Sequence, residues 1–122
     1  MNESITLVLP LPHFCLSPNA RAHWTVKAGV TKKARRLARE AVEAEDVCTA
    51  PWGKVTATEA FFYKTNRNRD ERNATAMLKA YYDGVVDAGL IIDDNHNVLT
   101  HGQPTFHTDK ENPRVEITIT QK

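Results

Sequence analysis

Residues Arg114–Thr120 alternate without a break: Val115, Ile117 and Ile119 are apolar, and Glu116, Thr118 and Thr120 between them are polar. A side-chain period of two marks a strand with one face buried and one face wet. Such a strand cannot stand alone, because its apolar face needs a second layer to cover it. The chain supplies that cover. Val30, Ala34, Leu37, Ala38, Ala41 and Val42 recur at helical spacing and predict a helix from about Thr31 to Glu45, with Thr31 as its cap. Met77, Leu78, Tyr81, Tyr82 and Val85 build the apolar face of a second helix, from about Ala74 to Asp87, which Gly89 is placed to end.

The other elements fall between turn signals. Ser4–Leu9 is a short apolar and β-branched run stopped by Pro10 and Pro12, which predicts a first strand. A loop follows from His13 to about Thr25, with turn chemistry at Ser17-Pro18-Asn19. Pro51-Trp52-Gly53 breaks the chain ahead of a β-branched and aromatic strand at Val55–Tyr63, and Lys64–Arg72 is polar. Leu90–Ile92 is a brief apolar element, and Val98–His101 is a possible strand. Strand, helix, strand, helix, strand, strand indicates an α+β fold, a small mixed β-sheet packed with two main helices. At 122 residues the whole chain, 1–122, makes a single domain.

An apolar content of 41% and a charged content of 25% are those of an ordinary globular protein. No apolar run approaches the roughly 20 residues that span a bilayer, and Ile5–Leu11 lacks a basic flank, so no membrane partner and a cytoplasmic location are expected. Cys15 and Cys48 have no metal-site spacing and read as free thiols.

Net charge is only +1, but its distribution is uneven: residues 1–69 carry 11 Lys/Arg against 6 Asp/Glu (+5), and residues 70–122 carry 5 against 9 (−4). A basic half joined to an acid-rich half suits a metal-dependent nuclease, which must meet phosphates and also hold a cation. Chance clustering of solvated charges would produce the same count.

The candidate chemistry gathers around Arg67–Asn73. Asp70 and Glu71 sit there in a basic setting, Lys79 follows, and Asp93-Asp94 arrives after the second helix and its turn. A strand–helix–turn path returns near its start, so Asp70, Glu71 and Asp94 are expected to converge at one end of the sheet. Phosphodiester hydrolysis uses carboxylate-held Mg²⁺, and a neighbouring Lys stabilises developing charge. The plainer readings stay open: an acidic pair at a helix start is often a cap, Asp93-Asp94-Asn95 is a common turn, and Lys79 with Asp83 is an i,i+4 surface pair.

Arg69-Asp70-Glu71-Arg72-Asn73, Met77-Leu78-Lys79-Ala80, Asp83-Gly84 through Gly89-Leu90, and Asp93-Asp94 together resemble the signature of the RusA family of Holliday junction resolvases. Leu9-Pro10 with Leu16–Arg21, and Pro113–Ile119, resemble that family's first and last strands, so the likeness runs along nearly the whole chain. It implies a homodimer that binds four-way or otherwise branched DNA and nicks it in symmetrical pairs, with Mg²⁺ as cofactor and Mn²⁺ as a possible substitute. It implies Asp70 and Asp94 as metal ligands, Lys79 near the scissile phosphate, and Arg69 as a basic neighbour. Arg67, Arg69, Arg72, Asn73, Asn19 and Arg21 are the expected DNA contacts. One departure stands out: Arg72 replaces the motif's second Asp. Either Glu71 substitutes as ligand, or the chain is a junction-binding protein with weakened or absent catalysis.

Other features have two readings each. Lys32, Arg35, Arg36 and Arg39 form a stripe on the first helix that would track phosphates or serve as a solvated face. Trp24 and Trp52 would stack on unpaired bases or pack in a core or dimer contact. Tyr81 and Tyr82 read as core or dimer surface, and His96, His101 and His107 as surface histidines without a metal pattern. A phosphate contact by His23, beside Arg21, is a bare possibility.

Overall fold

The structure is a computed structural model that describes residues 3–18, 20–47, 51–66 and 70–122. Five strands form one mixed sheet under two principal helices, the α+β arrangement expected from the sequence. The strands are β1 (Ser4–Leu9), β2 (Val55–Tyr63), β3 (Leu99–His101), β4 (Thr105–Thr108) and β5 (Arg114–Gln121). The helices are α1 (Trp24–Ala44), α2 (Glu71–Ala76) and α3 (Lys79–Asp87), with a 3₁₀ turn at Phe14–Leu16.

Antiparallel pairing joins β5 to β1 on one side and to β2 on the other. On its far side β2 pairs in parallel with β3 through Val55–Ala57 and with β4 through Ala60–Tyr63. Parallel neighbours need a crossover, and α2 with α3 supply it between β2 and β3. The alternation read in the sequence is the burial seen: Ile5, Leu7 and Leu9, then Val115, Ile117 and Ile119, are all buried with the helices' inner faces. The opposite face is a threonine surface, on which Thr6 and Thr118 hydroxyls lie 3.1 Å apart.

Three sequence expectations need correction, the start of α1, its cap and the unbroken second helix, and one strand was not expected. Helix α1 starts at Trp24, seven residues before Thr31, and its cap is His23, whose ring accepts a hydrogen bond from the Thr25 amide. Thr31 lies inside the helix and donates to the Lys27 carbonyl. The first turns were hidden because Trp24–Gly29 are exposed on every side and show no apolar period. The second helix is broken in two at Met77 and Leu78, where the Leu78 amide bonds the Thr75 carbonyl in a tighter turn. Leu90–Ile92 makes only a single parallel bridge, Trp52 with Ile91. Finally, β4 went unforeseen because Thr105–Thr108 carries no alternation of buried positions.

Helices α1 and α3 meet at Gly84. A Cβ built there would lie 2.2 Å from the Arg35 carbonyl oxygen and 2.8 Å from the Ala38 Cβ, both on α1. A bidentate pair, Arg35 Nη2 to Asp87 Oδ1 at 2.8 Å and Nε to Oδ2 at 3.0 Å, ties the same two helices at the surface. Backbone against backbone has little room to give. Gly84→Ala is therefore expected to cost about 1–3 kcal/mol through overpacking, despite alanine's better helix propensity. Urea unfolding of the two proteins measures this, and an unchanged or raised midpoint would refute the close-crossing argument.

Candidate functional site

Two adjoining depressions open where α2 and α3 meet the β3 edge of the sheet. One, about 460 Å³, is lined by Glu59, Glu71, Arg72, His101 and Gln103 among others. The other, about 290 Å³, is lined by Lys79, Tyr82, Asp94 and Leu99, and the two share Thr75, Ala76 and His101. The crossover from β2 to β3 produces this juxtaposition. Helix α2 begins at the residue after Asp70, α3 begins at Lys79, and the turn after α3 delivers Asp94 on the way into β3.

Of the residues singled out in the sequence, Glu71, Arg72, Lys79 and Asp94 border this cleft. Lys79 is its clearest feature. Its ammonium donates to Asp94 Oδ2 at 2.6 Å and to Asp83 Oδ1 at 2.9 Å. Its hydrogen bonds to Asp94 and then to Asp83 hold the Lys79 pKa above its ordinary value, and the bond accepted from Lys79 holds the Asp94 carboxyl below its own. Both groups are charged at neutral pH. Asp93 braces the turn, accepting from the Asp94 amide at 2.7 Å and from the Asn95 amide group at 2.8 Å.

Asp70 is used differently. It caps α2, with its carboxylate accepting from the Asn73 amide at 3.1 Å, and it is not among the residues lining either depression. Glu71 accepts from the Gln103 side chain at 2.9 Å, a bond that ties α2 to the segment between β3 and β4. Asn73 is half-buried and accepts from the Ser17 hydroxyl at 2.9 Å. Arg21 is exposed ahead of α1. Asn19, Cys48, Arg67 and Arg69 lie outside the described residues; Cys15 is buried and free.

Asp70 and Asp94, the ligands implied by the resemblance, and Glu71, their proposed substitute partner, do not meet as a ligand set in this arrangement. One caps a helix, one holds Gln103, and one carries Lys79. Among the described residues, no group of three or more His, Cys, Asp or Glu side chains is placed to hold a metal.

A second cluster in the same cleft escaped the sequence reading. The Glu59 side chain is only 1% exposed, yet it sits in the middle of β2. Tyr82 of α3 donates its hydroxyl to Glu59 Oε2, and His101 Nδ1 of β3 lies 3.1 Å from the same oxygen. The other oxygen, Oε1, is buried without a hydrogen-bond partner. Burial first, and the carboxylate second, push the Tyr82 hydroxyl well above its ordinary pKa, so it stays a donor. The hydrogen bond to Glu59 raises the pKa of half-exposed His101. The signal for Glu59 was present: alternation puts it on the inward set with Val55, Ala57 and Phe61. Its partners arrive only through tertiary structure. Trp52 is fully buried whereas Trp24 is exposed, which separates two residues that read alike in the sequence.

No protein-family model matches the chain. A protein of Xylella fastidiosa (strain Temecula1) described only as uncharacterized is 36% identical over 101 residues, covering 76% of this chain and 62% of that protein. The chain thus spans less than two thirds of the length of this relative.

The His101–Glu59 bond makes stability depend on pH. Because the folded-state pKa of His101 is raised, the contribution is complete below the unfolded value of about 6.5 and is lost as pH rises through the folded value. Between about pH 6 and 8 the urea midpoint of the native protein is expected to fall more steeply than that of His101→Gln. Parallel profiles for the two would show that the pair contributes nothing.

Proposed function

We propose that this chain is a structure-selective endonuclease acting on branched DNA, with four-way (Holliday) junctions as its principal substrate, in the manner of the RusA family that its sequence resembles. The observation that carries the reading is Lys79 held between Asp94 and Asp83 in a cleft also bordered by Glu71, Arg72 and His101. An ammonium fixed by two carboxylates is positioned before any ligand arrives, and a group of that kind stabilises charge that develops on phosphate oxygens. Arg72 adds a planar guanidinium suited to a phosphate. Expected products are a 5′-phosphate and a 3′-hydroxyl. Paired nicks on two-fold related strands need paired sites, so a homodimer is the expected working form. No helix among the described residues is long and apolar enough to cross a membrane; the cytoplasm, where chromosomal DNA lies in a bacterium, is the proposed location.

Mg²⁺, with Mn²⁺ in its place, is part of the proposal as the resemblance has it. The acids as they stand do not form its site, and catalysis by this chain's own groups reduces to what Lys79 and Arg72 do: hold the phosphate and offset its charge. A specific observation favours a second reading, a junction-binding protein that does not cut. Arg72 stands where the motif has an Asp, and Asp94 is already spent on Lys79.

A labelled four-way junction and a matched linear duplex, each with Mg²⁺, Mn²⁺ or EDTA, separate the two. The endonuclease reading expects paired nicks in the junction alone, lost in EDTA and with Asp94→Asn. Lys79→Ala should slow cutting by roughly 10²–10³-fold, as expected on losing a donor that meets transition-state charge. Tight junction binding with no nicks under any cation supports the second reading, and more so if Arg72→Asp begins to cut. Absence of both binding and nicking refutes the two together.

A further inference from the structure

Outside the cleft, a shallow groove of about 680 Å³ runs along α1. Its lining is unlike the cleft's. Lys27, Lys32, Arg35, Arg36 and Arg39 supply five cations against one acid, Asp87, and Trp24 closes one end. Asp87 is neutralised within the wall by its bidentate bond to Arg35. Arg36 and Arg39 face Glu40 and Glu43 at 3.6 and 3.8 Å in exposed i,i+4 pairs, weak contacts that a phosphate displaces at little cost.

Trp24 is 74% exposed, an unusual state for an indole in a chain that buries its other tryptophan completely. It is nevertheless held. The His23 ring stacks against it, with centroids 5.8 Å apart and planes 29° apart, and His23 is itself fixed by the Thr25 amide and hydroxyl. A braced aromatic face open to solvent, at the end of a cationic groove, is the combination that takes up a single nucleic-acid strand: bases stack on the ring and phosphates follow the cations.

We propose that the exposed face of α1 is a binding site for single-stranded DNA, with Trp24 as the stacking platform and Lys27, Lys32, Arg36 and Arg39 as phosphate contacts. The choice of DNA rests on the branched-DNA reading; the site itself is separate from the cleft. From Trp24 to Arg39 the helix rises about 22 Å, room for roughly half a dozen nucleotides at the 3.4 Å spacing of a stacked strand. Helix α3 joins the two sites: Lys79, Asp83 and Asp87 follow one another at four-residue steps, with Lys79 in the cleft and Asp87 in the groove.

Tryptophan fluorescence tests this directly, because Trp52 is buried and a quenching ligand reports on Trp24. An oligothymidylate of about 12 nucleotides should quench the emission, and Trp24→Ala should weaken binding roughly 5- to 150-fold, the range for losing one base stack. Four phosphate contacts give a slope of about −3 for log affinity against log salt, and removing Lys27 and Lys32 together should reduce it by about 1.4. Absence of quenching, or a slope and affinity unmoved by those two substitutions, overturns the proposal. So does an emission shift that depends on protein concentration without DNA, which would make a second copy of the chain the occupant. Failure here is distinct from failure of the cleft reading. Oligonucleotide bound through Trp24 with four-way junctions neither bound nor cut would sink the nuclease and leave the groove standing. Junction cutting with no Trp24 response would do the reverse.

Discussion

Strand β2 is the member on which the rest depends. It is paired on both sides, antiparallel to β5 and, in two stretches, parallel to β3 and β4, and it carries a carboxylate among the buried positions of its inner face. A buried carboxylate is costly unless hydrogen-bonded. Both contacts to Glu59 fall on Oε2, from Tyr82 of α3 and His101 of β3, and they tie the sheet edge to the helix layer, while Oε1 stays buried without a partner among the described residues. The cleft lies where that clasp reaches the surface.

What the sequence made legible is unequal, for physical reasons. Val115, Ile117 and Ile119 declared β5, and Ala34, Ala38 and Val42 declared the middle of α1, because each set is buried on one side and its period shows. The first turns of α1 are exposed on every side, so Trp24–Gly29 bear no apolar imprint of helix. The break at Met77–Leu78 leaves both residues' apolar character intact, and periodicity alone cannot tell a kinked face from a straight one. Within the site, Asp94 was read as a metal ligand and Lys79 as a neighbour of the phosphate, and the structure has the two in direct contact at 2.6 Å. Asp70 was read as a ligand, and the structure has it capping a helix, a role its position before Glu71 equally permitted. His101 was invisible as a partner because Glu59 lies 42 residues away in the chain.

The charge asymmetry between the two halves of the sequence survives folding in a changed form. The basic residues of α1 gather along one groove, while the acids of the second half sit mostly in contact with cations: Asp94 and Asp83 with Lys79, Asp87 with Arg35, Asp109 and Glu116 with Arg114. Nearly neutral overall, the surface still offers a strongly one-signed strip.

The parallel edge of the sheet is not one strand but two, β3 and β4, separated at Gly102, Gln103 and Pro104. The Gly102 amide turns inward to the Ala57 carbonyl at 2.8 Å, and proline has no amide to offer. An edge so interrupted presents no continuous ladder for another chain to extend. The opposite margin differs: β1 runs there unbroken from Ser4 to Leu9, and the cleft lies on the interrupted side, beside β3.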